Sequence, residues 1–261
     1  EFELSDWDKV QRRDKITGCS LTGWQDMVNA IHLDKEGEAE LLKKLREAAV
    51  TESKIYAEEI GEKAPILVTT VKPEGTLSQL PGVSSGIHYS HSPYYLRRVR
   101  INSNDSLVKV CEELGYTIYP EVGQDIETCT TKVIEFPMKA PDGRTKDDVG
   151  AIEQLENYKM FMENYVEHNC SITVHVRENE WDVAEQWVWD NWDDTVALTF
   201  LPYDNSFYQL MPYEAITEKE YNEFVKNMKP FIPSLLSKYE VKEEVIDIGN
   251  DECDTGLCPV R

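Results

Sequence analysis

The sequence predicts an α/β fold in which helices alternate with short parallel strands. Two observations carry this prediction. Apolar residues recur at spacings of three and four through several long segments, which is the period of an amphipathic helix. Short runs rich in β-branched residues lie between those segments, and such runs are typical of buried strands in a parallel sheet.

The first half of the chain sets up this alternation. A helix opened by a Ser/Thr cap is expected over 19–33, and a long amphipathic helix is expected over 36–60. The run APILVTTV, residues 64–71, follows a proline-containing break and predicts a buried strand. A segment rich in proline, glycine, serine and tyrosine comes next, over 72–95, and predicts a loop.

The second half continues the same pattern. Apolar periodicity or β-branched composition predicts, in chain order, a helix over 103–114, a strand over 132–136, a turn over 140–146, a helix over 151–169, a strand over 171–176, a helix over 182–192, a strand over 196–202 and a helix over 217–228. The last helix begins with Thr217, and Glu220 follows three residues later, which is the signature of a capping box.

Three side-chain clusters have both a structural and a functional interpretation. Trp181, Trp189 and Trp192 share one helical face, which predicts core packing rather than base stacking. His88 and His91 are spaced as a possible ligand pair, although packing or hydrogen bonding within a turn is the favoured interpretation. The arginines of the segment 97–100 are expected to pair with nearby acids, and phosphate steering is the alternative.

Composition excludes several classes of function. The formal net charge of −22 over 261 residues argues against a protein that wraps nucleic acid. The chain has neither an apolar run long enough to span a membrane nor a signal-peptide pattern, so we expect a cytoplasmic location without a membrane partner. The first residue is Glu1 rather than methionine, which we interpret as the start of a processed or truncated chain.

The segment TTVKPEGTLSQLPG, residues 69–82, has the strongest internal chemical signal. A predicted strand ends before Pro73, Gly75 permits a tight turn, and hydroxyl side chains follow at a predicted helix start. Exposed amides at a helix N-terminus can bind an anion, and Lys72 would add a positive charge. On the residues alone, a plain strand–turn–helix junction is the more common interpretation of such a segment.

The sequence ends in CDTGLCPVR, which places Cys253 and Cys258 close to the terminus. The stretch from 245 to 261 is charged and loses apolar periodicity, so we expect a flexible tail after a globular part over 1–244. A cysteine pair on such a tail could exchange disulfides with other thiols. Two idle thiols are the alternative, because a metal would need two further ligands and none is nearby. The other four cysteines are scattered, so reduced thiols and no metal site are expected.

Three stretches resemble the adenosylcobalamin-dependent (class II) ribonucleotide reductases, most closely their monomeric ribonucleoside-triphosphate reductase branch. They are TTVKPEGTLSQLPGVSSGIHYSHSPYYLRRVRI, NCSITVHVRENE and TFLPYDNSFYQLMPYEAITEKEY, in that order along the chain. The resemblance covers most of 17–221 and implies that the chain is a C-terminal portion of such an enzyme.

This resemblance implies a fold, a site and a cofactor. The fold would be part of a ten-stranded α/β barrel with a flexible C-terminal tail. The turn would bind the phosphates of a ribonucleoside tri- or diphosphate through Lys72, Pro73, Glu74, Gly75, Thr76 and Ser78. Glu74 is expected to face the phosphate with its backbone amide and not its carboxylate. Cys253 and Cys258 would be a redox shuttle pair that is reduced by thioredoxin.

The same resemblance implies ribonucleotide reduction by radical chemistry that adenosylcobalamin initiates, with an effector nucleotide bound by an upstream region. The radical-bearing cysteine of this family lies in a loop inside the barrel. Cys111, Cys170 and Cys19 lie in or beside predicted helices and strands, so none is interpreted as that cysteine, and the chain alone is expected to be inactive. The alternatives are a non-catalytic nucleotide-phosphate-binding part of a split reductase, and a protein like a class I large subunit.

Overall fold

The structure is a computed structural model that describes residues 4–203 and 209–240. It confirms the mixed α/β class. The helices are α1 (Ser5–Asp14), α2 (Trp24–Ile31), α3 (Lys35–Glu59), α4 (Ser106–Leu114), α5 (Ala151–Asn164), α6 (Trp181–Asp190), α7 (Glu218–Asn227) and α8 (Leu236–Tyr239). The strands are β1 (Tyr94–Asn102), β2 (Ile118–Pro120), β3 (Thr131–Lys139), β4 (Thr173–Val176), β5 (Thr199–Pro202) and β6 (Tyr213–Ala215).

The strands of the described residues form two sheets. Strands β4 and β5 pair in parallel, with Thr173 opposite Thr199 and Val176 opposite Pro202, as the apolar runs predicted. The other sheet has the order β2-β3-β1-β6, and its β1–β6 and β2–β3 pairs are antiparallel. This antiparallel sheet was not predicted from the sequence. A ten-stranded barrel is not formed by the described residues, which contain only these two sheets.

The segment 64–71 is extended, but it forms isolated bridges rather than a regular strand. Thr69 bridges to Cys19, and Val71 bridges to Cys170, both in parallel. The Val71 amide donates to Asn169 O at 3.1 Å, so the segment runs beside the residues that lead into β4. Since Pro73 has no amide hydrogen, the pairing cannot continue into the turn.

Two helix boundaries differ from the prediction because neighbouring residues are used for pairing. Helix α2 begins five residues later than expected, since Cys19 is paired with Thr69. Its cap is Gly23 in the left-handed conformation with φ of +70°, and not a serine or threonine side chain. A Cβ atom on Gly23 would lie 2.7 Å from Val83 Cγ2, so only glycine fits there. Helix α5 ends at Asn164 instead of 169, because the following residues pair with the 64–71 segment.

Side chains cap the N-termini of two other helices, of which the cap of α7 was predicted. Helix α3 has nearly the predicted bounds and begins after Asp34, whose side chain accepts from Gly37 N. The capping box of α7 is confirmed, since the Glu220 carboxylate accepts from Thr217 N and Thr217 Oγ1 accepts from Glu220 N.

The chain divides into two compact units: Glu1–Arg97 with Pro137–Tyr221, and Arg98–Phe136 with Asn222–Arg261. The core of the first unit is built by α5, β4 and the residues around Val71, with Leu155, Tyr158 and Phe161 fully buried. The second unit has its own core around α4 and β3, in which Val108, Val110 and Ile134 are fully buried. The predicted boundary at 244/245 lies outside the described residues.

The prediction that the tryptophans of 181–192 pack in the core is wrong. Trp181, Trp189 and Trp192 are 40%, 75% and 65% exposed, whereas Trp187 is 8% exposed and donates to Glu156 Oε1. Helix α6 packs on α5 through the face that carries Trp187 and Ala184. The opposite face of α6 therefore forms, with Phe200 of β5, an apolar surface that the described residues leave uncovered.

The arginines of β1 have the expected structural partners. Arg98 is buried and contacts Glu135 at 2.7 Å, and Arg100 contacts Glu121 at 2.5 Å. Arg97 lies over the Tyr213 ring at 4.5 Å. These pairings confirm the structural interpretation of the basic run. Within the described ranges, no helix is long and apolar enough to cross a membrane.

Candidate functional site

A cavity of 310 Å³ opens beside the predicted phosphate turn, within the first unit. Pro73 and Gly75 of the turn form one part of its wall, and Thr173 and His175 of β4 form another. The rest comes from α5, from the segment 83–91 and from Lys146 and Tyr213. None of the described lining residues is an aspartate or a glutamate, although the chain has 49 acidic residues. The cavity is therefore suited to a neutral or anionic ligand.

The turn presents backbone amides rather than a long helix. Its predicted helix is a single 3₁₀ turn over Leu77–Gln79, which has too few aligned peptides for a substantial dipole. Among the described residues, the amides of Gly75, Thr76 and Leu77 donate to no acceptor. Glu74 adopts the left-handed conformation with φ of +56°. The unpaired amide of Gly75, which lines the cavity, and the two unpaired amides that follow it provide hydrogen-bond donors for an anion.

Ser78 and Thr76 occupy different environments from each other. Ser78 is fully buried, and its Oγ lies 3.1 Å from the Oγ of Ser85, which lines the cavity. Gln79 Nε2 also donates to Ser78 Oγ at 3.2 Å. Ser78 therefore fixes residues that line the cavity, whereas Thr76 is exposed and lies outside the lining.

Lys72 lies apart from the cavity. Its side chain is exposed and runs toward Gly18, and its amide donates to Ser20 Oγ at 2.9 Å. Lys146 is the lysine that lines the cavity, and it is only 5% exposed. The sequence analysis missed Lys146 because it falls in a turn cluster with no distinctive pattern, 68 or more residues along the chain from the turn that it joins in space.

The three histidines of the cavity wall are held in the neutral form. Thr173 N donates to His88 Nε2 at 2.9 Å, so the proton of His88 is on Nδ1, which contacts Ser85 O at 2.8 Å. This confirms the hydrogen-bonding interpretation of His88. Burial lowers the pKa of His91 and of His175 to about 4, and the nearby Lys146 adds to the effect. The positive charge of the cavity near neutral pH therefore belongs to Lys146.

Gly86 fixes the approach of the cavity wall to the start of the turn. Its φ is +54°, a conformation that side chains other than glycine rarely adopt. A Cβ atom at this position would lie 3.0 Å from Lys72 O and 3.3 Å from Val71 Cγ1. The absence of a side chain thus allows the segment 83–91 to pack directly on the turn.

The described cysteines do not line the cavity. Cys111 lies in α4, where burial raises its pKa to about 11, and Cys170 is buried beside β4, where burial raises its pKa further. Cys19 is exposed and pairs with Thr69. No group of histidine, cysteine or acidic residues in the described ranges could hold a metal ion. The predicted shuttle pair, Cys253 and Cys258, lies outside the described residues.

Comparison with solved structures finds a protein with a similar fold. A B12-dependent (class II) ribonucleotide reductase matches 91% of this chain with a TM-score of 0.75, at 22% sequence identity. The match covers 36% of that reductase. The chain therefore shares the fold of a part of that protein. No family model matches the chain.

Comparison with curated proteins extends the match to the whole chain. The adenosylcobalamin-dependent ribonucleoside-triphosphate reductases of Lactobacillus acidophilus and Lactobacillus leichmannii are each 28% identical to it over 100% of its length. A Dictyostelium discoideum protein, described as a probable reductase of the same kind, is 30% identical over 86% of the chain. The chain is a relative of these reductases. It spans 39% of the length of the two Lactobacillus reductases and 30% of the Dictyostelium protein.

These matches confirm the resemblance that the three sequence stretches indicated. The chain is similar to a part of these adenosylcobalamin-dependent ribonucleoside-triphosphate reductases, and because the match to the Lactobacillus acidophilus reductase covers the whole chain, it includes the turn and the cavity.

Proposed function

We propose that the chain is the substrate-phosphate-binding part of an adenosylcobalamin-dependent ribonucleotide reductase. The observation that carries this proposal is the carboxylate-lacking cavity beside a turn with three unpaired amides, in a chain related to such reductases over its whole length. The substrate would be a ribonucleoside tri- or diphosphate, whose 2′-hydroxyl is replaced by hydrogen while two cysteines supply the electrons. Triphosphate substrates agree with the names of the relatives.

The six predicted phosphate residues would have different roles. The amides of Gly75 and Thr76, which have no acceptor among the described residues, would donate to phosphate oxygens, and Pro73 would form part of the cavity wall. Glu74, in its left-handed conformation, turns the chain so that these amides are presented. Ser78 would act by holding Ser85, whereas Lys72 is exposed and outside the cavity lining and would not contact the phosphates.

Adenosylcobalamin would be the cofactor of the complete enzyme. The cavity of 310 Å³ can take part of a nucleotide, but it is much smaller than a corrin ring with its nucleotide loop. The cavity residues therefore do not fit this cofactor, and the cobalamin contacts would come from other residues of the enzyme. When bound, adenosylcobalamin would supply the initiating radical, and the residues described above would bind and orient the substrate.

The two sheets are proposed to belong to a ten-stranded barrel that other parts of the enzyme complete. Strands β4 and β5 form a parallel pair, and parallel sheets are usually covered on both faces. The exposed tryptophans of α6 lie next to this pair, with Phe200 of β5 in the same apolar surface. An apolar surface of this kind favours contact with further protein.

The remaining roles rest on residues outside the described ranges. Cys253 and Cys258 would form the redox shuttle, thioredoxin or a similar dithiol protein would reduce them, and an effector nucleotide would bind an upstream region. The net charge of −22 agrees with a cytoplasmic enzyme that has no nucleic-acid partner.

The proposal is tested with the complete reductase. Deoxynucleotide formation from ribonucleoside triphosphates should require adenosylcobalamin and a dithiol, whereas the 261-residue chain alone should form none.

A Cys253→Ser, Cys258→Ser double variant should complete one pre-reduced turnover and then stall with thioredoxin, while a small dithiol should restore multiple turnovers. If the double variant turned over at the wild-type rate with thioredoxin, the shuttle role of Cys253 and Cys258 would be refuted. Activity without adenosylcobalamin would favour a reductase of the class I kind, and a separate upstream polypeptide would favour a split reductase.

A further inference from the structure

Lys146 is the only cationic side chain among the described residues that line the cavity. It is 5% exposed, and its Nζ forms no hydrogen bond with the part of the chain that the structure describes. The ring centroid of Tyr203 lies 5.7 Å from Nζ. A buried ammonium group without an acceptor is costly, and such groups are normally paired with an anion.

The backbone holds Lys146 firmly at this position. Its amide donates to Ser90 O at 2.9 Å, and the Ser90 hydroxyl donates to the buried Asp26 carboxylate at 3.3 Å. On the other side, Thr145 caps the short 3₁₀ turn that begins with Lys146, in a capping box with Asp148. The position of the lysine is thus fixed before any ligand binds, which lowers the entropic cost of binding.

The neighbouring acids are already committed to other groups. Asp147 accepts a hydrogen bond from Tyr203 OH at 2.6 Å, and Asp148 accepts from Thr145 N at 2.7 Å. The groups that line the cavity near Lys146 are instead neutral, including His91 and His175. The described residues therefore offer this ammonium group no uncommitted carboxylate, and an anionic ligand in the cavity can supply its acceptor.

We propose that Lys146 is the cation that binds a phosphate group of the nucleotide in this cavity, the role that the sequence analysis gave to Lys72. This inference rests on the proposed function, since it names the charged contact of the same site. The amides of Gly75 and Thr76 would donate to the phosphate from one wall, and the ammonium group would contact it from another. A charge-assisted contact of this kind is about twice as strong as a neutral hydrogen bond.

The test uses isothermal titration calorimetry of inorganic tripolyphosphate into the 261-residue chain. We expect Lys146→Gln to weaken binding at least tenfold and Lys146→Arg to restore most of it. Lys72→Gln is the matched control, because it removes the same charge at an exposed position, and it should change Kd less than twofold. Equal binding by the wild-type chain and the Lys146→Gln variant, or no binding by the folded wild-type chain, would overturn the proposal.

A second measurement needs no substitution and therefore does not depend on the folding of a variant. Acetic anhydride modifies lysines in the wild-type chain, and mass spectrometry gives the rate at each position. Saturating tripolyphosphate should slow the acetylation of Lys146 at least fivefold and leave Lys72 unchanged. An unchanged rate at Lys146 would refute the contact.

Competition with a ribonucleoside triphosphate separates this inference from the proposed function. If CTP displaces tripolyphosphate from the wild-type chain and Lys146→Gln weakens both ligands, the two proposals stand together. If tripolyphosphate binding depends on Lys146 but CTP does not compete, the anion site stands and the nucleotide assignment fails. If CTP binds equally to both proteins, the nucleotide assignment stands and the role of Lys146 is refuted.

Discussion

Removal of the His88 side chain should loosen the wall of the cavity by a predictable amount. Its ring joins the loop at Ser85 to strand β4 at Thr173, through one hydrogen bond of 2.8 Å and one of 2.9 Å. Each such bond contributes about 0.5–1.5 kcal/mol to stability, so His88→Ala should lower the free energy of unfolding by about 1–3 kcal/mol. The open cavity allows water to reach the exposed partners, which favours the lower half of this range.

Two further variants separate the two bonds. An asparagine amide can replace the Nδ1 donor, and a glutamine carbonyl can replace the Nε2 acceptor. His88→Asn and His88→Gln should therefore each lower the free energy of unfolding by about half as much as His88→Ala. Urea unfolding of the chain measures these differences. His168→Ala is the control, because this half-buried ring makes a single contact of 2.9 Å with Thr17 O and should cost about half as much as His88→Ala. An equally small loss for His88→Ala would refute the bridging role.

Three other changes test the surroundings of the site. Because burial holds the pKa of His91 and His175 near 4 in the folded chain, against 6.5 ordinarily, stability should fall as the pH drops from about 6.5 to 4. Chemical denaturation at several pH values measures the free energy of unfolding. Its dependence on pH should become weaker after replacement of both histidines by glutamine. Gly86→Ala should weaken tripolyphosphate binding in calorimetry, since its Cβ would press on the carbonyl that precedes the turn at 3.0 Å, and unchanged binding would contradict this. Arg98→Met leaves Glu135 buried and unpaired, so it should cost about 3–5 kcal/mol in urea unfolding, and Glu135→Leu in the same chain should recover most of the loss.

Local sequence determined the elements that depend on local interactions. The period of α3 and the capping box of α7 arise from residues a few positions apart, and both are formed as predicted. The parallel pair of β4 and β5 follows from two apolar β-branched runs that are separated by a helix. The three family-like stretches carried the resemblance to the reductases, which the whole-chain matches confirm.

Tertiary structure decided which residues meet. The antiparallel sheet joins strands far apart in sequence, such as β1 and β6, whose pairing leaves no periodic signal in either segment alone. The burial of Trp187 and the exposure of Trp189 depend on which face of α6 packs against α5, and both faces carry apolar residues. The wrong prediction for the exposed tryptophans has this cause.

The candidate site shows the same division. The turn over 72–78 is visible in the sequence, because proline, glycine and hydroxyl residues restrict the backbone locally. The lysine that lines the cavity is not visible in the sequence. Lys146 reaches the cavity only when the residue before it, Thr145, bridges to Ser90, which lies more than 50 residues away along the chain. Sequence proximity favoured Lys72, whereas burial and the packing of the first unit place Lys146 at the cavity. Backbone preferences act between neighbours in the chain, but the electrostatic environment of a site depends on neighbours in space.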